Sequence, residues 1–266
     1  MLRSTKDLEG YGIAATDGDI GHVKDFYFDD NTWVVRYLEV ETGAWLASRK
    51  VLISPISVGE PNWSGRTLPV SLTREQVKSS PDIDTNKPVS RQHEMDYAGY
   101  YGYPYYWGGD GMWGGGGYPN LMLPGYEGAG TSVSDPKQEG AVPGSQRTSP
   151  KNEGDPHLRS TSEVDDYHLH ATDGDVGHVD GMLLDDQSWA VRYLIVNTSN
   201  WWVGHKVLIA PQWITGVSWS DSKVLVNVTR EAVQNAPVYH PEVEVNREHE
   251  KTLYRFHDRP GYWGTE

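Results

Sequence analysis

Apolar positions recur along residues 20–28 and 33–40, where β-branched and aromatic residues dominate, and Asp29-Asp30-Asn31-Thr32 supplies turn chemistry between the two runs. The pattern predicts a β-hairpin. Further short strands are predicted at 50–54, 56–59 and 67–72. Beyond them Thr73 can cap a short helix, Gln76 three residues on completes a capping box, and Pro81 lies past its end. A second helical stretch is predicted over 90–97.

The whole succession then occurs again. ATDGDIGHV at 15–23 returns as ATDGDVGHV at 171–179, an offset of 156 residues (171 minus 15). At that offset Trp33, Arg36, Tyr37 and Leu38 fall on Trp189, Arg192, Tyr193 and Leu194. KVLI at 50–53 falls on 206–209, TRE at 73–75 on 229–231, and LRST at 2–5 on 158–161. Arg91, His93 and Glu94 return as Arg247, His249 and Glu250. The second copy is thus expected to form strands at 176–184, 189–196, 206–210, 212–215 and 223–228. Its helix is capped by Thr229, with Ala232 in place of the reciprocal capping partner, and a further helical stretch follows over 246–255.

Two copies of one domain are expected, at residues 1–95 and 158–266, the second with a C-terminal tail. Several short strands in so few residues predict a mainly β fold of two small antiparallel barrels, because closure removes exposed edges. Residues 96–157 join them. The first part, rich in Gly, Tyr and Trp, is open to two readings: a low-complexity tract without structure, or a flat aromatic surface made for contact. The second part is polar and punctuated by Pro and Gly, as expected of a flexible linker that lets two docking units grip separated sites.

Composition narrows the chemistry. The sequence has no Cys, which removes disulfides, thiolate zinc sites and cysteine nucleophiles. A net charge of -14 argues against a duplex nucleic-acid binder and discourages direct adsorption to anionic lipid. No apolar run approaches the length of a membrane span, and the N-terminus lacks the apolar core of a signal peptide, so a cytoplasmic protein is expected.

Asp17, Asp19 and His22, with Asp173, Asp175 and His178, lack EF-hand spacing and read as a tight turn before a strand. Arg36 and Arg192 sit inside apolar strands and need partners. Asp17, Asp25 and Glu39 are candidates for the first, Asp173 and Asp185 for the second. His93-Glu94 and His249-Glu250 offer no second metal ligand and read as an exposed helical face. Neither a nucleophile elbow nor a phosphate-binding loop occurs, so no catalytic, metal or cofactor residues are expected and the protein is read as a non-enzyme. With 11 Trp and 16 Tyr, the aromatics exceed what two small interiors hold. Tyr100, Tyr101, Tyr103, Tyr105, Tyr106, Trp107, Trp113 and Tyr118 of the tract, with Trp45, Trp201 and Trp202, are the expected partner-binding residues.

The strings TDGDIGHVKDFYFDD, WVVRYLEVETGAWLASRKVLISP and SLTREQVKSSPDID, and their second-copy counterparts, resemble the PRC-barrel family, named for the cytoplasmic domain of the photosynthetic reaction-centre H subunit. The resemblance implies a β-barrel of about six strands per copy and an interaction module without a common catalytic activity. It further implies a structural role in photosynthesis, peripheral on the cytoplasmic face of the inner or photosynthetic membrane, held by protein contacts to a reaction-centre or light-harvesting complex. The alternative is a free-standing small-ligand-binding or stress-related protein.

Overall fold

The computed structural model describes residues 1–81, 89–107, 109, 111–122, 157–198 and 205–263. The first copy runs β1 (Leu2–Ser4), α1 (Thr5–Leu8), β2 (Gly12–Ala15), β3 (Gly18–Asp29), β4 (Val34–Thr42), β5 (Lys50–Ile53), β6 (Thr67–Pro69), α2 (Arg74–Lys78) and α3 (Arg91–Tyr101). The second runs β7 (Leu158–Ser160), α4 (Thr161–Val164), β8 (His168–Ala171), β9 (Gly174–Asp185), β10 (Val191–Asn197), β11 (Lys206–Ile209), β12 (Ile214–Ser218), β13 (Lys223–Val226), α5 (Arg230–Gln234), β14 (Val238–Tyr239) and α6 (Arg247–Phe256). The fold is mainly β. None of the described helices is long and apolar enough to cross a membrane.

The predicted hairpins are β3–β4 and β9–β10. Asp29 holds the first turn by accepting from the Asn31 and Thr32 amides, and Asp185 holds the second through those of Gln187 and Ser188. Gly21 is required by closeness rather than by conformation, since a Cβ there would lie 2.0 Å from the Glu41 carbonyl oxygen on β4. Thr73 and Gln76 form the expected capping box of α2, and Thr229 caps α5 through the Ala232 amide alone. The strand expected at 56–59 is instead a 3-10 turn at Pro55–Ser57, capped by the Ser54 hydroxyl, which accepts from the Ile56 amide.

Among the described residues the sheets do not close into barrels. One sheet has the order β5-β4-β3-β2-β6 and the other β12-β13-β8-β9-β10-β11-β14, both open. Nor are they wholly antiparallel, because β2 pairs parallel with β6 and β8 with β13. The long strands explain the open path. One edge of β3 is shared between β2, near its start, and β7, near its end, and β7 belongs to the other copy. In return β1 pairs with the end of β9. The registers are equivalent under the 156-residue offset: Leu2 opposite Asp185, Leu158 opposite Asp29.

The two copies are therefore interlocked, rather than placed to grip separated sites across the linker. Backbone bonds cross reciprocally at the centre, Val35 N–H to the Trp189 carbonyl (2.8 Å) and Val191 N–H to that of Trp33 (2.7 Å). Apolar residues of both copies form one continuous buried core. Asp25 locks the exchange on one side. Buried on β3, it accepts from the Ser160, Thr161 (2.8 Å) and Ser162 (2.7 Å) hydroxyls and the Ser162 amide (3.2 Å) at the start of α4. At the equivalent position, Gly181, the Lys6 stem packs instead and its ammonium reaches Asp165 and Asp180, both at 3.4 Å.

Candidate functional site

The acidic turn residues, expected to bond their own local backbone, reach further along the chain. The Asp17 carboxylate accepts the Arg74 amide (2.8 Å) and Asp173 that of Arg230 (2.7 Å), so each acidic turn fastens the helix that follows the sheet. Asp175 pairs with His170 at 2.6 Å and lies near Lys223. Its pKa falls below the ordinary carboxylate value through the bond to His170, with burial opposing and the Lys223 charge assisting.

The Gly/aromatic tract is where the structure says most. Rather than standing away, it folds back over the first sheet. Trp113 is 1% exposed, and Tyr103 and Tyr106 are buried with it. These three spend their contact area inside their own chain. Tyr100, Tyr105 and Tyr118 remain open to solvent. Tyr101, Trp107 and Trp45 are half-buried, and Trp45 donates its indole N–H to the Ile20 carbonyl (2.6 Å) beneath the Arg74 guanidinium. Trp201 and Trp202 lie outside the described residues.

What the tract covers is Arg36. Its guanidinium lies 3.8 Å from the Tyr106 ring centre and 4.9 Å from that of Trp113. It donates to the Met112 carbonyl (2.5 Å) and the Thr32 hydroxyl (3.1 Å), with Asp29 at 3.7 Å. Of the predicted partners none is used: Asp17 and Asp25 serve helix starts, and Glu39 takes Lys50 at 2.7 Å. Burial lowers the Arg36 pKa, opposed by Tyr106, Asp29 and Glu94.

Glu94, expected on an exposed face, has no exposure at all because the tract lies over that face of α3. It accepts from the Tyr106 hydroxyl and pairs with Arg91 (3.0 Å) and His157 (3.2 Å). Glu250 is its counterpart on α6, taking the hydroxyls of Tyr193 (2.8 Å) and Tyr262 (2.7 Å) and the Arg247 guanidinium (2.9 Å). Burial, then the neighbouring Glu94 charge, pushes the Tyr106 pKa far up, so the phenol stays protonated and donates.

Tyr262 is to Arg192 and Glu250 what Tyr106 is to Arg36 and Glu94. Arg192 lies 4.2 Å from its ring centre, while Arg91 over Trp107 (4.2 Å) is matched by Arg247 over Trp263 (4.3 Å). The offset is again 156, so the repeat reaches the triplet Tyr-Trp-Gly at 106–108 and 262–264, beyond the bounds read from sequence. Three letters inside a run of Gly and Tyr were the available signal. Asp185, one of the predicted partners of Arg192, does feel it. Burial would raise the Asp185 pKa, but the Ser188 and Gln187 amides and the Arg192 charge bring it below the ordinary value.

The two clamps differ in their lids. Beside Arg192 lies a cavity of about 660 Å³ at the junction of the copies, walled by Trp33, Thr32, Met112, Gly216, Trp219 and Tyr262. Over Arg36 the corresponding ground holds Met112 and Trp113. Among the described residues no group of three His, Asp or Glu side chains gathers as metal ligands.

Compared with known proteins, residues 3–65 match the PRC-barrel domain family, a span that runs from β1 through β5. No curated protein matches the chain.

Proposed function

We propose that this chain is a non-catalytic assembly protein, two PRC-barrel-type units fused into a single interlocked body that docks onto a protein complex. The observation that carries the reading is the unequal dressing of two like frames. One frame is covered by an aromatic tract whose Tyr100, Tyr105 and Tyr118 face solvent, and the other keeps an open cavity. Exposed tyrosines on a rigid, internally packed support are suited to protein contact, because little side-chain freedom is lost on binding. The resemblance to the reaction-centre H subunit makes the cytoplasmic face of a reaction-centre or light-harvesting membrane complex the partner to test first.

Recovery of partners from native membranes should therefore fall when Tyr100, Tyr105 and Tyr118 are all replaced by Ser, in a protein whose circular dichroism shows it still folded. Equal recovery of the same complex subunits by both proteins would overturn the reading. The cavity beside Arg192 favours a second one, a small-ligand-binding protein, because its volume lies in the range of ligand sites. Denaturing mass spectrometry of the protein purified from its native cells would then show a stoichiometric small molecule.

A further inference from the structure

The chain contains both a filled and an open version of one site, and the filled one shows what the open one is shaped to hold. In the first copy the occupant is Trp113. Its indole N–H donates to the Ser188 carbonyl of the other copy (2.8 Å), and the carbonyl just before it, that of Met112, accepts from Arg36. Glycines make this approach possible. Gly114 sits at φ +68°, and a Cβ on Gly111 would lie 2.5 Å from the Gly116 carbonyl oxygen.

The 156-residue offset carries Arg36 to Arg192, Tyr106 to Tyr262 and Ser188 to Thr32, and all three counterparts line the cavity. Arg192 donates to the Ser188 hydroxyl (3.3 Å) and stacks on Tyr262, but no described carbonyl stands where Met112 stands on Arg36. Trp33 and Trp219 supply aromatic walls. Asp30, paired with Arg159 at 3.5 Å, also lines the cavity, and the Met112 carbonyl on Arg36 is the precedent for a neutral acceptor on Arg192. The volume exceeds one indole and leaves room for the chain that would carry it.

We propose that this cavity docks a tryptophan presented by an extended, glycine-flanked segment of a partner protein. The indole N–H donates to the Thr32 carbonyl, and the carbonyl of the preceding residue accepts from Arg192. This inference rests on the docking reading above and adds the chemistry of one contact.

The probe is a synthetic peptide with the sequence of residues 109–118, GDGMWGGGGY, titrated calorimetrically into the full chain. One saturable site is expected. Replacing the peptide tryptophan by alanine should weaken binding about thirtyfold, the effect of losing a buried anchor. Arg192→Met should weaken it comparably. Gly216→Leu, at a floor position where an added Cβ meets nothing closer than 3.8 Å, should fill the cavity and block the peptide while leaving the thermal melt unchanged. No binding at millimolar peptide, equal binding of the alanine peptide, or binding kept by both protein variants would overturn the proposal. So would binding of N-acetyltryptophanamide as tight as that of the peptide, since the site would then be one for a small molecule. The membrane recovery experiment reads Tyr100, Tyr105 and Tyr118 instead, so either result can fail while the other stands.

Discussion

Trp113→Ala tests whether the aromatic tract is part of the fold. The indole is 1% exposed, donates to the Ser188 carbonyl and lies against Arg36 and Tyr106. Burial of roughly 200 Å² at about 25 cal/mol per Å² gives about 5 kcal/mol as an upper figure. Relaxation of the glycine-rich backbone into the gap returns part of that, so a loss of about 3–5 kcal/mol is expected, the usual span for a buried Trp truncated to alanine. With a urea slope of about 3 kcal/mol/M, the midpoint should fall by roughly 1–1.7 M. Equilibrium unfolding followed by circular dichroism reads this directly, with Tyr118→Ala as the control. Tyr118 is exposed, and its removal should shift stability by no more than about 0.5 kcal/mol. A loss below about 1 kcal/mol for Trp113→Ala would refute the packing argument, because a tract that contributes so little cannot be holding Arg36 under cover.

Gly21→Ala should lower the melting temperature far more than any surface change, since the new methyl would meet the Glu41 carbonyl and force β3 from β4; an unchanged melt would contradict that close approach. Asp25→Ala leaves three hydroxyls and an amide of the other copy without their acceptor, so a loss of about 2–3 kcal/mol and faster hydrogen exchange along β7 are expected. Burial, helped by the Arg259 charge, holds the His257 pKa down at about 4. The folded protein therefore keeps His257 neutral, whereas the unfolded chain takes up a proton below about 6.5, so this residue makes stability fall as pH drops from 6.5 to 4. His257→Gln should flatten denaturation midpoints over that window, and an unaltered slope would rule the residue out.

How far the sequence reveals this protein depends on the range of the interaction. The turns of the β3–β4 and β9–β10 hairpins and the Thr73 cap are fixed within a few residues, so local chemistry displays them, whereas Asp17 and Asp173 reach the Arg74 and Arg230 amides 57 residues on. The β1 and β7 strands were visible only as a repeated LRST. Nothing local says that Leu2 lies opposite Asp185, and without that exchange a closed barrel was the reasonable expectation. Glu94 misleads for a similar reason: on a polar helix it reads as solvent-facing until Tyr106 and His157 are brought to it. The tract's role was ambiguous because its composition suits both disorder and contact, and the choice is made by Trp113 finding Ser188 in the other copy. Tyr262 and Trp263 lay just past the point where the repeat ceased to be obvious.

The exchanged strands have an evolutionary consequence. Two separate identical subunits joined this way would inherit every substitution twice, and would come apart on dilution. Tethered as one polypeptide, the partners stay together at any concentration, and each is free to drift alone. Asp25 where the second copy has Gly181, and Glu39 where it has Ile195, show where that freedom has already been used.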